Sequence, residues 1–367
     1  MRRTSYVLQT PIGPRVRLNG REYDYFCGTS YYCLHGHPQV IQAACEATKK
    51  YGLGAATSWD VPPLLEVEEV AARFFGTSQA KYIVSAYLGI FFLANALIDK
   101  YDIIFVDELA HYSVFDGIKS TGKHIITYSH LDPIDLKEKL QKYLKPKQIP
   151  IVITDGVFPM TGAMAPLTEY YNILLNYDKF VLCIDDSHGV GVLGSSGRGI
   201  CEFYNLSDPR VYFCGTASKA FGGFGGIIPG DRDLMQAIEA KVRVPLGASP
   251  PPVPAAAASS MGIKLLLEHP EWREQLRDNV FYIRKRLRGL GLPIPDSPVP
   301  IVTIFSIPNV DLAMVQQRLE ENGIMVRYVP PRGYSDAPPA ESLKITIFSQ
   351  HSREQLDRLC ALLGRIL

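Results

Sequence analysis

The stretch Thr216-Ala217-Ser218-Lys219-Ala220-Phe221-Gly222-Gly223-Phe224-Gly225-Gly226 decides how this chain is read once it is set beside Asp185-Asp186-Ser187-His188-Gly189. Each stretch follows a short apolar run, Val211-Tyr212-Phe213-Cys214 in one case and Phe180-Val181-Leu182-Cys183-Ile184 in the other, of the kind that forms buried parallel strands. Ligands of open α/β sheets bind beyond the carboxyl ends of the strands, so the pattern predicts that Asp185, His188 and Lys219 converge at one sheet edge.

An acid, an imidazole and an amine gathered there suit an aromatic aldehyde cofactor. A lysine amine forms a Schiff base with pyridoxal phosphate, and a carboxylate partner keeps the ring nitrogen protonated so that the ring draws electrons. Lys219 and Asp185 are the candidates for these two roles. Hydroxyls and backbone N–H groups beside a Gly-rich turn hold phosphates, and Thr216 and Ser218 stand where they are needed. Taken alone, Asp-Asp-Ser-His is more often a helix cap with a solvated histidine, and Ser-Lys-Ala is more often surface. It is their joint occurrence that carries the cofactor reading. No further ligand stands at metal-type spacing from Asp185 and His188, so no metal is expected.

Further blocks follow in one order: Gly36-His37-Pro38, Asp107-Glu108-Leu109-Ala110-His111-Tyr112-Ser113, Thr154-Asp155-Gly156-Val157-Phe158, Gly197-Arg198-Gly199 and Ser249-Pro250-Pro251-Pro252. With the two stretches above, nearly the whole chain resembles the α-oxoamine synthases, fold-type I pyridoxal phosphate enzymes that include 8-amino-7-oxononanoate synthase and serine palmitoyltransferase. The resemblance implies an α/β fold with a mostly parallel central sheet flanked by helices and a smaller α+β C-terminal domain. It implies that Lys219 is the Schiff-base lysine, that Asp185 partners the pyridine nitrogen, that His188 bonds the ring hydroxyl and that His111 stacks on the ring. Ala86 and Tyr87 fall where the family has a Gly-aromatic pair near the phosphate. Ser249 matches a segment that reaches the phosphate from a neighbouring subunit, so a homodimer with shared active sites is implied.

The implied reaction condenses an amino acid with an acyl thioester, on CoA or a carrier protein, and releases carbon dioxide to give an α-amino ketone. Two alternatives stay open: another pyridoxal phosphate reaction such as transamination or decarboxylation, and a cofactor-binding subunit without turnover. Departures from the family cluster on the substrate side. Leu343-Lys344-Ile345 stands where the family has a carboxylate-gripping arginine, and lysine is a point charge that cannot form arginine's planar fork. Lys344 and Arg332 are therefore the candidate substrate residues, with Arg327 a third option. Pro159 replaces a serine, Ala110 an asparagine, and Trp59-Asp60-Val61-Pro62-Pro63 a Gly-rich stretch.

Composition agrees with an enzyme of small molecules. The 367 residues exceed what one core normally fills, and 47% apolar content can bury two. A net charge of +1 gives no electrostatic reason to expect nucleic acid or an anionic membrane. Met1-Arg2-Arg3-Thr4-Ser5-Tyr6 is followed by Gly, Pro and Arg instead of an apolar segment, and the seven cysteines read as reduced and mostly buried, so a cytoplasmic location is expected.

Along the chain, the expected organisation is an N-terminal segment over 1–40, a large cofactor-binding domain over 41–255 and a small domain over 256–367. A hairpin over Val16–Phe26 turns at Asn19-Gly20, a helix spans Pro38–Lys50, and strands such as Ile103–Val106 and Ile151–Ile153 alternate with helices. The C-terminal part holds helices over Ala255–Glu268, Trp272–Leu290 and Leu312–Asn322 and strands over Ile301–Phe305 and Leu343–Ile347. Ser249-Pro250-Pro251-Pro252-Val253-Pro254 is expected to be neither helix nor central strand.

Overall fold

A computed structural model describes residues 6–55 and 59–367. The basic N-terminal residues Met1–Ser5 lie outside the described residues. In chain order the strands are Arg15–Leu18 (β1), Arg21–Tyr25 (β2), Gln79–Ile83 (β3), Ile103–Asp107 (β4), His124–Tyr128 (β5), Pro150–Asp155 (β6), Val181–Asp185 (β7), Val211–Thr216 (β8), Gly226–Gly230 (β9), Ile301–Phe305 (β10), Ile324–Met325 (β11), Arg327–Val329 (β12) and Ser342–Thr346 (β13). They fall into two compact units, one of residues 39–158 and 163–268, the other of residues up to Pro38, Pro159–Gly162 and His269–Leu367.

The larger unit holds a seven-stranded sheet in the order β3-β9-β8-β7-β6-β4-β5. The pairs β8–β7, β7–β6, β6–β4 and β4–β5 are parallel, while β9 runs antiparallel to both its neighbours. β4, β6 and β7 are buried along their whole length, which is why their sequences are continuous apolar runs instead of alternating ones. Ile104, Val106, Ile151, Ile153, Val181 and Cys183 face one helical layer that includes Ile90, Leu93, Val114 and Ile118.

Each fully buried run ends in an acid: Asp107 on β4, Asp155 on β6 and Asp185 on β7. Because the strands are parallel, those ends lie on the same edge, and β6 and β7 set Asp155 directly opposite Asp185. The fold thus concentrates carboxylates where an apolar core stops.

The helix Val253–Glu268 begins inside the proline-rich stretch, a correction to the expectation that all of Ser249–Pro254 is non-helical. Pro254 occupies the first turn, where the missing N–H has no intrahelical partner to lose. This helix packs on Pro62–Phe75. Its Gly262 is the close-approach point: a Cβ there would lie 1.8 Å from the Phe221 carbonyl oxygen, two residues after Lys219.

In the smaller unit β1 and β2 form the expected hairpin, with Asn19 and Gly20 both at positive φ, as a tight I′-type turn requires. β11 extends it in parallel, and β10-β13-β12 form a second, antiparallel sheet. Pro159–Gly162 belongs here because buried Asp336 accepts hydrogen bonds from Met160 N at 2.8 Å and Thr161 N at 3.0 Å, while Thr303 Oγ1 donates to Met160 O at 2.7 Å. Of the seven free cysteines five are buried, Cys27 is half-buried and Cys45 is exposed.

Candidate active site

The lysine loop is built from β8 outward. Thr216, the last residue of β8, donates from Oγ1 to Gly225 O at 3.1 Å, Ala217 N donates to the same oxygen at 3.0 Å, and Gly223 N closes onto Ala217 O at 2.9 Å. Ser259 on the neighbouring helix fastens the far side, accepting from Phe224 N at 3.1 Å and donating to Phe224 O at 2.9 Å. The loop is therefore a rigid bracket that presents Lys219 half-buried.

Burial pushes the Lys219 amine down to about 8, because a charged ammonium is poorly solvated there; the carboxylates Asp185 and Asp155 act in the opposite direction. An amine of that kind is partly neutral, and so nucleophilic, near physiological pH.

Asp185 is buried and accepts from Ser187 N at 3.1 Å, which turns the chain toward His188, also buried. His111 caps the helix Tyr112–Lys119. Its backbone N–H donates to Asp155 Oδ2 at 2.8 Å, and its Nδ1 lies 2.7 Å from Ser113 Oγ, so both the backbone and the ring are fixed. Tyr87 meets the His111 ring edge-on, with centroids 6.1 Å apart, and its hydroxyl donates to Asp116 at 2.5 Å. Ala86 and Tyr87 form a short 3₁₀ turn capped by Ser85, leading into the helix Gly89–Ala96. The Thr216 and Ser218 hydroxyls are 2.8 Å apart and hydrogen-bonded to each other.

Asp155 is the residue that sequence reasoning did not single out. It lies within a quoted motif, ends a fully buried strand as Asp185 does, and both holds His111 and acts on Lys219. Its position at the end of an apolar run was the signal available.

Ser249, Lys344 and Arg332 are the remaining candidates. Ser249 is exposed and lines a cavity of about 240 Å³ together with Trp59, Val61, Lys81, Tyr82 and Pro251. In the smaller unit, buried Lys344 sits at the centre of β13, in register with Thr303 on β10 and Arg327 on β12. Arg332 is exposed in the Pro330–Pro339 loop at φ 51°, with its N–H donating to Pro338 O at 2.9 Å.

The donor set of the larger unit fits pyridoxal phosphate: a half-buried amine of lowered basicity, a buried acid for the ring nitrogen, an imidazole held for stacking, and hydroxyls at a strand end for the phosphate. Together with the mostly parallel sheet this defines a fold-type I pyridoxal phosphate-dependent transferase. Residues 28–363 match the aminotransferase class I and II family. The 8-amino-7-oxononanoate synthase of Methylococcus capsulatus is 32% identical over 358 residues, spanning 96% of this chain and 91% of that protein. The structure of serine palmitoyltransferase from S. paucimobilis matches with a TM-score of 0.90 at 23% identity, covering 99% of this chain and 92% of that one. The 8-amino-7-oxononanoate synthase structure from Francisella tularensis matches at 0.77 and 23%, covering 93% and 96%. The chain belongs to the aminotransferase class I and II family and, within it, to the α-oxoamine synthases. Its cofactor is pyridoxal 5′-phosphate and its activity is that of a C-acyltransferase.

Proposed function

We propose that the chain joins the α-carbon of an amino acid to the acyl group of a thioester, with loss of the amino acid's carboxylate as carbon dioxide, and that Lys219 is the residue on which the reaction turns. The observation that carries this is the Lys219 amine beyond the end of β8, lowered to about 8 by burial against the opposing effect of Asp185 and Asp155. Pyridoxal phosphate, when bound, supplies an aldehyde that condenses with amines and a ring that withdraws electrons from the amino acid's α-carbon.

The protein's own part is then positional and protonic. Lys219 would hold the cofactor, give way to the incoming amino group and, as a free amine, take the proton from the α-carbon, for which a base poised near the working pH is suited. Asp185 would keep the ring nitrogen protonated, and His188 would bond the ring hydroxyl. His111, fixed by Asp155 and Ser113, would set the ring plane. Thr216, Ser218, Ala86 and Tyr87 would receive the phosphate, with Ser249 reaching it from a second subunit of a homodimer. Lys344 and Arg332 are the candidate anchors for the substrate carboxylate.

The relatives' product name narrows the first substrates to test. An 8-amino-7-oxononanoate carries a methyl group and an amine on one side of the new bond, the remnant of alanine, and a seven-carbon acyl group ending in a carboxylate on the other. Purified holoenzyme offered alanine, serine and glycine against acyl-CoAs of different length should release thiol with one pairing well above the rest. Thiol release that does not depend on any amino acid would sink the proposal. A cytoplasmic location agrees with the free cysteines and with the absence, among the described residues, of any helix long and apolar enough to cross a membrane.

A further inference from the structure

Asp186 has no part in the chemistry above, yet it is 1% exposed and immediately follows Asp185. Its backbone is used fully: its N–H donates to Cys214 O at 2.8 Å, and its carbonyl accepts from Gly189 N and Val190 N, both at 3.0 Å. The carboxyl group is different. Oδ2 accepts from Ile200 N at 2.7 Å, whereas Oδ1 has no hydrogen-bonding partner, and among the described residues no ion pair reaches it.

Three glycines from separate segments make room for this group. A Cβ at Gly189 would lie 2.1 Å from Oδ1, one at Gly156 2.6 Å from Oδ1, and one at Gly199 1.9 Å from Oδ2. The β6 end, the turn after Asp185 and the Gly197–Ile200 crossing thus all close around one side chain. An ionised carboxylate that accepts a single hydrogen bond, beside a second carboxyl group, is an expensive occupant of such a space.

We propose that Asp186 is a positioning residue that acts as a neutral carboxylic acid, pinning the Gly197–Ile200 crossing to the Asp185–His188 turn. Burial drives its proton affinity well above the ordinary carboxylate range, Asp185 pushes the same way, and the Ile200 and Gly189 amides and Lys219 oppose. The other titratable neighbours are the thiols of Cys201 and Cys214. A neutral Asp186 puts no second negative charge beside the residue proposed to partner the ring nitrogen, so the inference rests on the function proposed for Asp185 and Lys219.

Two measurements test it. Infrared difference spectra of the apoprotein, wild type minus Asp186→Asn, at neutral pH should show the carbonyl stretch of an un-ionised carboxylic acid; loss of carboxylate bands alone overturns the proposal. In the holoenzyme, Asp186→Asn should keep cofactor affinity within about twofold and leave the pH midpoint of cofactor capture unmoved, whereas Asp186→Leu, which strands the Ile200 N–H, should weaken cofactor retention about 10- to 100-fold. A downward shift of the midpoint in Asp186→Asn, as removal of a negative charge would cause, contradicts the neutral acid. So does an Asp186→Asn protein that fails to fold, or an Asp186→Leu enzyme equal to wild type. If wild type captured no cofactor at Lys219, the proposed function would fall while the infrared result still decided the state of Asp186.

Discussion

Cofactor capture by the apoenzyme should follow the ionisation of Lys219. An amine with the ordinary pKa of 10.5 is about 0.3% neutral at pH 8, whereas one lowered to about 8 is about half neutral, so Lys219 presents about 150 times more nucleophile at that pH. Stopped-flow mixing of apoenzyme with pyridoxal phosphate should give a second-order rate that rises tenfold per pH unit and levels near pH 8, whereas the rate of a simple alkylamine in the same buffers keeps rising toward its own pKa. A Lys219 rate still climbing tenfold per unit well above pH 9, in parallel with the alkylamine, would refute the effect of burial. The linked stability effect has a definite sign. Between about 8 and 10.5 the unfolded chain binds the proton that the folded chain does not, so Lys219 makes the apoenzyme more stable as pH rises through that window and contributes nothing further below it. Asp155→Asn removes a charge that supports the ammonium, and should move the capture midpoint below that of wild type.

Other outcomes follow from the packing. Lys219→Ala should abolish the visible band of bound cofactor and turnover together while leaving the thermal melt of the apoprotein intact, read by absorbance and calorimetry. Gly262→Ala forces a methyl against the Phe221 carbonyl, and overpacking of this kind should cost about 1–3 kcal/mol or more, seen as a lowered Tm and faster cofactor loss. Asp336→Ala strands the Met160 and Thr161 amides and should destabilise by about 3 kcal/mol in chemical denaturation. His351, stacked between Phe26 and Phe348, is driven by burial down to about 4; the unfolded chain therefore takes up its proton first, and stability should fall as pH drops from about 6.5 toward 4. Replacing it with glutamine should flatten that acid limb in pH-dependent melts.

Much of this site was legible in the sequence because its parts sit at the ends of strongly apolar strands. Phe180–Ile184 and Val211–Cys214 announce β7 and β8, and the polar residues after them, Asp185, His188 and Lys219, inherit their place from that edge. Asp155 carries the same signal at the end of β6, but its neighbours Gly156 and Val157 offer no second chemical group to mark it. Contacts between distant segments left no local trace. Nothing near Asp186 in sequence indicates that Gly156 and Gly199 open space for its carboxyl group, and nothing around Pro159–Gly162 foretells its attachment through Asp336. The reversed direction of β9 is set by the rigid Gly-rich bracket after Lys219, a geometry that composition suggests but does not orient. The helical start at Val253 is hidden by its prolines, which are excluded from helix interiors but not from first turns.

The measurement that bears most directly on the function is the stoichiometry of carbon dioxide and thiol. Holoenzyme given alanine labelled at its carboxyl carbon, with and without the preferred acyl-CoA, should release labelled carbon dioxide and free thiol in equal amounts and only when both substrates are present, with none from Lys219→Ala. Carbon dioxide released without acyl-CoA, or an oxo acid formed with the label retained, would contradict decarboxylative condensation and assign the site to one of the other pyridoxal phosphate reactions.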